Sequence, residues 1–160
     1  MANQVPAKKS FKALQFIHWA MFGGQILFSI VCLIIFYVNS SAGNFKNFDQ
    51  VLQVLAIVFS VAGFWLGSVY LFNKSVEKIR SMPDDVAIRF VEFRKTLILQ
   101  WALLEMPQLF CCIAFFLTGN LSFMALAFAL LGYFFVARPL SLKIAILLQV
   151  RENELLQLDV

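Results

Sequence analysis

Charge is scarce in this chain. Asp, Glu, Lys and Arg make up 14% of its 160 residues, whereas an ordinary soluble domain carries about 25%. Hydrophobic residues account for 61% of the chain, nineteen phenylalanines among them, and the mean hydropathy is +0.82. A chain of this make-up is solvated by lipid. The net charge of +4 does not indicate nucleic acid, because the basic side chains flank apolar tracts instead of forming a basic domain of their own.

Cysteine and catalytic side chains are equally sparse. Cys32, Cys111 and Cys112 all lie inside apolar tracts. An odd number with none in a loop excludes a disulfide framework. No cluster of His, Asp or Glu accompanies them as metal ligands, so apolar packing is their expected role. The chain shows no Ser/His/Asp set, no phosphate-binding loop and no pair of neighbouring membrane acids. A non-catalytic protein without cofactor or metal is therefore expected.

Four long apolar runs predict an all-α integral membrane four-helix bundle, a single transmembrane domain over residues 1–160. The spans cover about residues 16–38, 51–72, 97–117 and 121–136. The last is about 24 Å long at helical rise, and is expected to borrow length from residues 140–150 while Arg138 snorkels to the headgroups. The N-terminal MANQVPAKKSFK has the basic character of a signal-peptide start. The apolar run after it is too long for such a segment and ends without a small-residue cleavage site, so it is expected to be retained as the first span.

Basic residues orient the spans. Lys8, Lys9 and Lys12 precede the first. Lys74, Lys78, Arg80, Arg89, Arg94 and Lys95 lie between the second and third, and Arg138, Lys143 and Arg151 follow the fourth, which leaves Lys46 alone on the opposite side. The positive-inside rule then predicts a cytoplasmic (inner) membrane protein with both termini cytoplasmic. Residues 73–96 are expected to form a cytoplasmic helical hairpin, its second helix started by Pro83-Asp84-Asp85 and continued by Val86, Phe90, Phe93 and Leu97. The tail, residues 151–160, reads as a mildly amphipathic cytoplasmic segment.

An offset of 82 residues aligns the first span with the third, Trp19 on Trp101 and Phe28 on Phe110. An offset of 69 aligns the second with the fourth, Gly63 on Gly132 and Lys74 on Lys143. Two helical hairpins in parallel repeat are the expected plan. In this alignment Gly23 stands opposite Glu105, and Gln25 opposite Pro107.

Glu105 is the strongest functional signal. It sits inside LILQWALLEMPQLFCCIAFFL with no other charged side chain, about 15 Å along the helix from Lys95 and so near the middle of a core about 30 Å thick. An acid at that depth is a functional-site candidate by default. Trp101, Gln108, Leu109 and Cys112 share its helical face. Pro107 leaves the carbonyl of Leu103 without its intrahelical donor, and a free carbonyl beside a carboxylate is one way to build a small-cation or proton site. Gln25 is the expected hydrogen-bond partner from the first span, and His18 lies nearer the cytoplasm, where an entry path for protons would begin. The alternative is that a protonated Glu105 acts as interhelical glue or contacts a partner subunit. Ser60, Gly63 and Gly67 on the second span, and Gly23-Gly24 on the first, are expected to serve close helix packing.

The run 83–113 resembles the acid-bearing hairpin of rotor-ring proteolipids, the c-type subunits of rotary ATPases. Glu105, Leu109, Phe110 and Ile113 fit the E-x-x-x-[LI]-F-x-x-[VI] setting of their mid-membrane acid. In this chain the acid lies in the third span, and the first span lacks the dense glycine repeat of ring helices. More broadly the chain looks like uncharacterised four-span bacterial inner-membrane proteins. Two functions follow as expectations: a small accessory subunit of a larger membrane complex, or a proteolipid-like subunit that handles protons or cations through Glu105. The bilayer and other membrane subunits, or further copies of the chain, are the expected partners, and nucleic acid is not among them.

Overall fold

Hydrocarbon offers backbone amides no partner, so a chain of this composition satisfies them internally by forming helices. The computed structural model describes residues 10–38, 46–82 and 86–148, and these are helical apart from short turns. α1 runs over Ser10–Val38. A short 3-10 turn, Lys46–Phe48, leads into α2, Asp49–Arg80, which is wound more loosely as a π-helix over Trp65–Leu71. α3 covers Val86–Thr118, α4 Leu121–Val136 and α5 Ser141–Leu148. The Pro83-Asp84-Asp85 helix start, the first nine residues and the tail 151–160 lie outside the described residues.

Three of these helices are long and apolar enough to cross a membrane, and α4 with α5 would make a fourth as one broken span. α3 is the hub. Half of its most apolar window is buried, against 17% for α1 and 22% for α2, so α1 and α2 lay one face each on α3 and turn the rest outward.

Two apolar clusters fill the interior. One joins Phe11 and Leu14 of α1, Val76 and Ile79 of α2, Phe90, Phe93 and Leu97 of α3, Phe134 of α4 and Ile144 of α5. It therefore gathers the start of α1, the end of α2, the start of α3 and the end of α4 at one end of the molecule, where Lys12, Lys74, Lys78, Arg80, Arg138 and Lys143 are also found. The other cluster packs Cys32, Ala56, Cys111, Cys112, Phe115, Phe123 and Ala127 at the far end. All three cysteines are free and buried.

The α2–α3 connection is short and tied: Ser81 N–H bonds the Glu77 carbonyl at 3.3 Å, and Met82 N–H the Ile79 carbonyl at 3.1 Å. Arg89 donates from Nη2 to the Met82 carbonyl at 2.7 Å. At the opposite end, Gly119 turns the chain with φ 74°, a left-handed conformation that a Cβ would strain. Asn120 then caps α4, its side-chain oxygen accepting from Ser122 N–H at 2.9 Å. Its Nδ2 donates to both carboxylate oxygens of Asp49 at 3.0 and 2.8 Å, which ties the α3–α4 turn to the first residue of α2.

The fourth span takes length from the following segment only as a broken pair. α4 stops at Val136, and α5 departs at 75° to it. Pro139 is the physical reason: it cannot donate to a continuing helix, and its ring pushes Arg138 out of helical conformation. α5 folds back across the basic end, where Arg80 Nε donates to the Leu147 carbonyl at 2.9 Å and Ile144 and Ala145 are buried.

Candidate functional site

The functional candidates of the sequence divide between two sides of α3. Trp101, Gln108 and Cys112 are fully enclosed and face α1. On α1, the polar residues His18, Gln25 and Ser29 are spaced by seven and four, which is one helical face, and all three are buried. Ser29 is the residue that sequence reasoning missed. Its spacing of four from Gln25 was the available signal.

These groups make a polar seam through an otherwise apolar interior. Gln108 Nε2 donates to Ser29 Oγ at 3.0 Å, the direct link between α3 and α1. Ser29 Oγ donates back to the Gln25 carbonyl at 2.8 Å and lies 3.4 Å from Cys112 Sγ. The seam is not closed. Both side-chain amide atoms of Gln25 and the amide oxygen of Gln108 are buried without a hydrogen-bond partner among the described residues.

Glu105 is not part of this seam. It is half-buried and makes no hydrogen bond or ion pair among the described residues. The expected Gln25–Glu105 bond is therefore corrected: Glu105 stands about 60° round α3 from Gln108, at the edge of the face that α1 covers. The next residue, Met106, is 66% exposed and belongs to the outward stripe with Leu99 and Ile113.

The expected pairing of a freed carbonyl with the carboxylate is also corrected. α3 runs on through Pro107, and the Leu103 carbonyl is covered by α2. A Cβ added at Gly63 would stand 2.5 Å from that oxygen and 3.2 Å from the Pro107 ring. Leu103 and Glu105 are about 200° apart around the helix, so carbonyl and acid serve different neighbours. Gly67 continues the contact, its virtual Cβ 3.3 Å from Leu103 Cβ. Ser60, one turn earlier on the same buried face, bonds its own helix at the Ala56 carbonyl, 2.6 Å. Gly23 and Gly24 behave differently from the expectation. Both are exposed, with nothing within 4 Å of an added Cβ, because they lie about 200° and 100° away from the inward-facing Gln25.

His18 differs too. Instead of opening on an entry path, its ring is completely enclosed. It stacks on Phe134 with centroids 4.8 Å apart and planes at 6°, and tilts against Trp101 at 4.8 Å. Neither ring nitrogen has a hydrogen-bond partner among the described residues. An aromatic box of this kind shields the imidazole from the basic end and does not open a wetted entry.

Among the described residues, no three His, Cys, Asp or Glu groups gather closely enough to hold a metal ion. No family model, curated protein or solved structure matches the chain. The chemistry of the site thus rests on the residues themselves: amides, a hydroxyl and a thiol within, and a lone carboxylate on the flank.

Proposed function

We propose that this protein is a non-catalytic accessory subunit of a larger membrane complex, docked through the flank of α3 that carries Glu105. One observation carries the reading: a half-buried acid in the middle of a span with no hydrogen-bond or ion-pair partner among the described residues. A carboxylate facing hydrocarbon is costly, and a donor on a neighbouring membrane helix removes that cost. The proposed setting is the cytoplasmic membrane, as a four-helix bundle with both termini cytoplasmic; the collection of basic residues at one end supports it. Its proposed plan is two duplicated hairpins whose halves have diverged, since Trp19 is half-exposed while its counterpart Trp101 is enclosed.

A photo-crosslinker placed at 105 in cells, compared with one at the lipid-facing 106, tests the reading. Capture of one defined membrane protein from 105, lost from 106, is the expected result. Adducts to lipid alone from both positions would overturn it.

A second reading, a proton- or cation-handling subunit of proteolipid type, draws support from the Gln25 amide and the Gln108 amide oxygen, which are buried without a hydrogen-bond partner among the described residues on and beside the acid-bearing helix. Glu105→Gln separates the two, because Gln keeps size and hydrogen bonding but does not cycle a proton. Unchanged proton flux in the intact system with Glu105→Gln would eliminate the second reading and leave the first standing.

A further inference from the structure

The elbow between α4 and α5 encloses a cavity that neither reading uses. It has a volume of about 250 Å³ and lies between that elbow and the facing stretches of α2 and α3. Its lining is of two kinds. Arg138 and Lys143, both exposed, border it, with Ser68, Asn73 and Gln100 as further polar groups; Phe72, Leu97 and Tyr133 are among its apolar walls. Gln100 donates from Nε2 to Ser68 Oγ at 3.2 Å, which fixes the polar floor.

The position of this cavity narrows the ligand. It lies at the basic end of the bundle, where α4 stops and α5 turns aside by 75°, the level at which a span leaves hydrocarbon for headgroups. The two cations are not consumed by carboxylates of the described chain. Arg138 lies over the Phe135 ring, 5.5 Å from its centroid, and Lys143 makes no ion pair among the described residues. The carboxylate near the elbow, Glu77, borders a neighbouring depression with Arg80 and Leu147 and not this cavity. A polar floor and two cations with no ion pair among the described residues, beside an apolar wall, match a phosphate joined to an acyl chain, and basic pockets between spans hold anionic headgroups in this manner. We infer that the α4–α5 elbow binds one anionic phospholipid, its phosphate between Arg138 and Lys143 and its chain along Phe72, Leu97 and Tyr133.

Native mass spectrometry of the full-length protein, exchanged into phosphatidylglycerol, phosphatidylcholine or inorganic phosphate, tests this. The protein is expected to retain one phosphatidylglycerol at sub-stoichiometric lipid and to lose it roughly thirtyfold more readily in the Arg138→Gln/Lys143→Gln variant, about fivefold per cation. Charge-keeping Arg138→Lys/Lys143→Arg should restore most of the retention, which separates lost charge from lost fold. A Lys74→Gln/Lys78→Gln control removes the same charge at the same end and should bind as the parent does. Equal retention of phosphatidylcholine, equal loss in the control, or displacement of the lipid by inorganic phosphate would each overturn the assignment.

Discussion

Gly63→Ala is the most direct probe of how α2 seats on α3. The new Cβ would meet the Leu103 carbonyl oxygen at 2.5 Å, while a relaxed carbon–oxygen contact needs about 3.3 Å. The helices must therefore part by about 0.8 Å, or α2 must rotate and spoil the Gly67 contact. Neither backbone oxygen nor the Pro107 ring beside it is a flexible chain end that could swing away. Overpacking of this kind costs about 1–3 kcal/mol. Alanine's helix-propensity advantage over glycine, about 1 kcal/mol in water, is reduced here because the reference state in the membrane keeps its helices. The net expectation is a loss of about 1–2 kcal/mol. Gly67→Ala, whose Cβ would sit 3.3 Å from a side-chain atom, should lose about half as much. Gly132→Ala and Gly23→Ala, with open space around the added atom, should change stability by less than about 0.5 kcal/mol. Dodecyl-sulfate titration of the purified protein in mixed micelles, followed by tryptophan fluorescence with Trp19 and Trp65 replaced by Phe so that the enclosed Trp101 reports, measures all four. A Gly63→Ala protein as stable as Gly132→Ala would refute the close α2–α3 approach.

Three further perturbations test separate joints. Gly119→Ala places a Cβ on a residue with φ 74° and should cost about 1–2 kcal/mol in the same titration. Asn120→Ala removes the α4 cap and the two bonds to Asp49 together, for an expected loss of about 1–2 kcal/mol; thermal unfolding in detergent reads it. Within the seam, Gln108→Leu breaks the bond to Ser29 and should cost about 0.6–2 kcal/mol, whereas Gln25→Leu replaces an amide without partners and should be neutral or stabilising. A Gln25→Leu protein less stable than Gln108→Leu would mean that a bound guest satisfies Gln25.

Much of the helix plan was readable from residue pattern. α4 covers the apolar run Leu121–Val136, and Phe90, Phe93 and Leu97, three or four residues apart, all turn inward as α3 leaves the α2–α3 turn. The direction of each face was harder to read. In a helix that is apolar all round, periodicity carries little information about which side meets a neighbour. The few polar residues carry it instead: His18, Gln25 and Ser29 mark the inward side of α1, and by that compass Gly23 and Gly24 had to face away. The i±4 relation placed Glu105 with Trp101 and Gln108, which is correct for the helix, but how far α1 wraps that face depends on the α1–α3 crossing, which no single-helix pattern contains. The Ser68–Gln100 bond and the α4–α5 cavity depend in the same way on how α2 and α4 register against α3. Pro139 held a signal of the break that the expected lengthening passed over, and the angle of the break comes from where Ile144 and Ala145 find their burial.

The placement of charge in this bundle bears on what one copy does alone. The side chains of Gln25, Ser29 and Gln108 are amides and a hydroxyl, which do not lose or gain a proton in the working pH range, so the Cys112 thiol beside Ser29 is the one member of the seam with a titratable proton. The acid, Glu105, lies at the edge of the contact face, turned toward the surroundings. His18, another group with proton chemistry, is held in an aromatic box at 4.8 Å from two rings. Along the described residues the acid is therefore separated from the histidine by amide and aromatic groups. Among the described residues no donor reaches Glu105, so proton work there would draw on water, on a group outside those residues or on a neighbouring protein. Accessory-subunit and ion-handling roles thus differ in what meets Glu105, a fixed donor on a neighbour or an exchanging proton or cation, and Glu105→Gln together with crosslinking from position 105 decides between them.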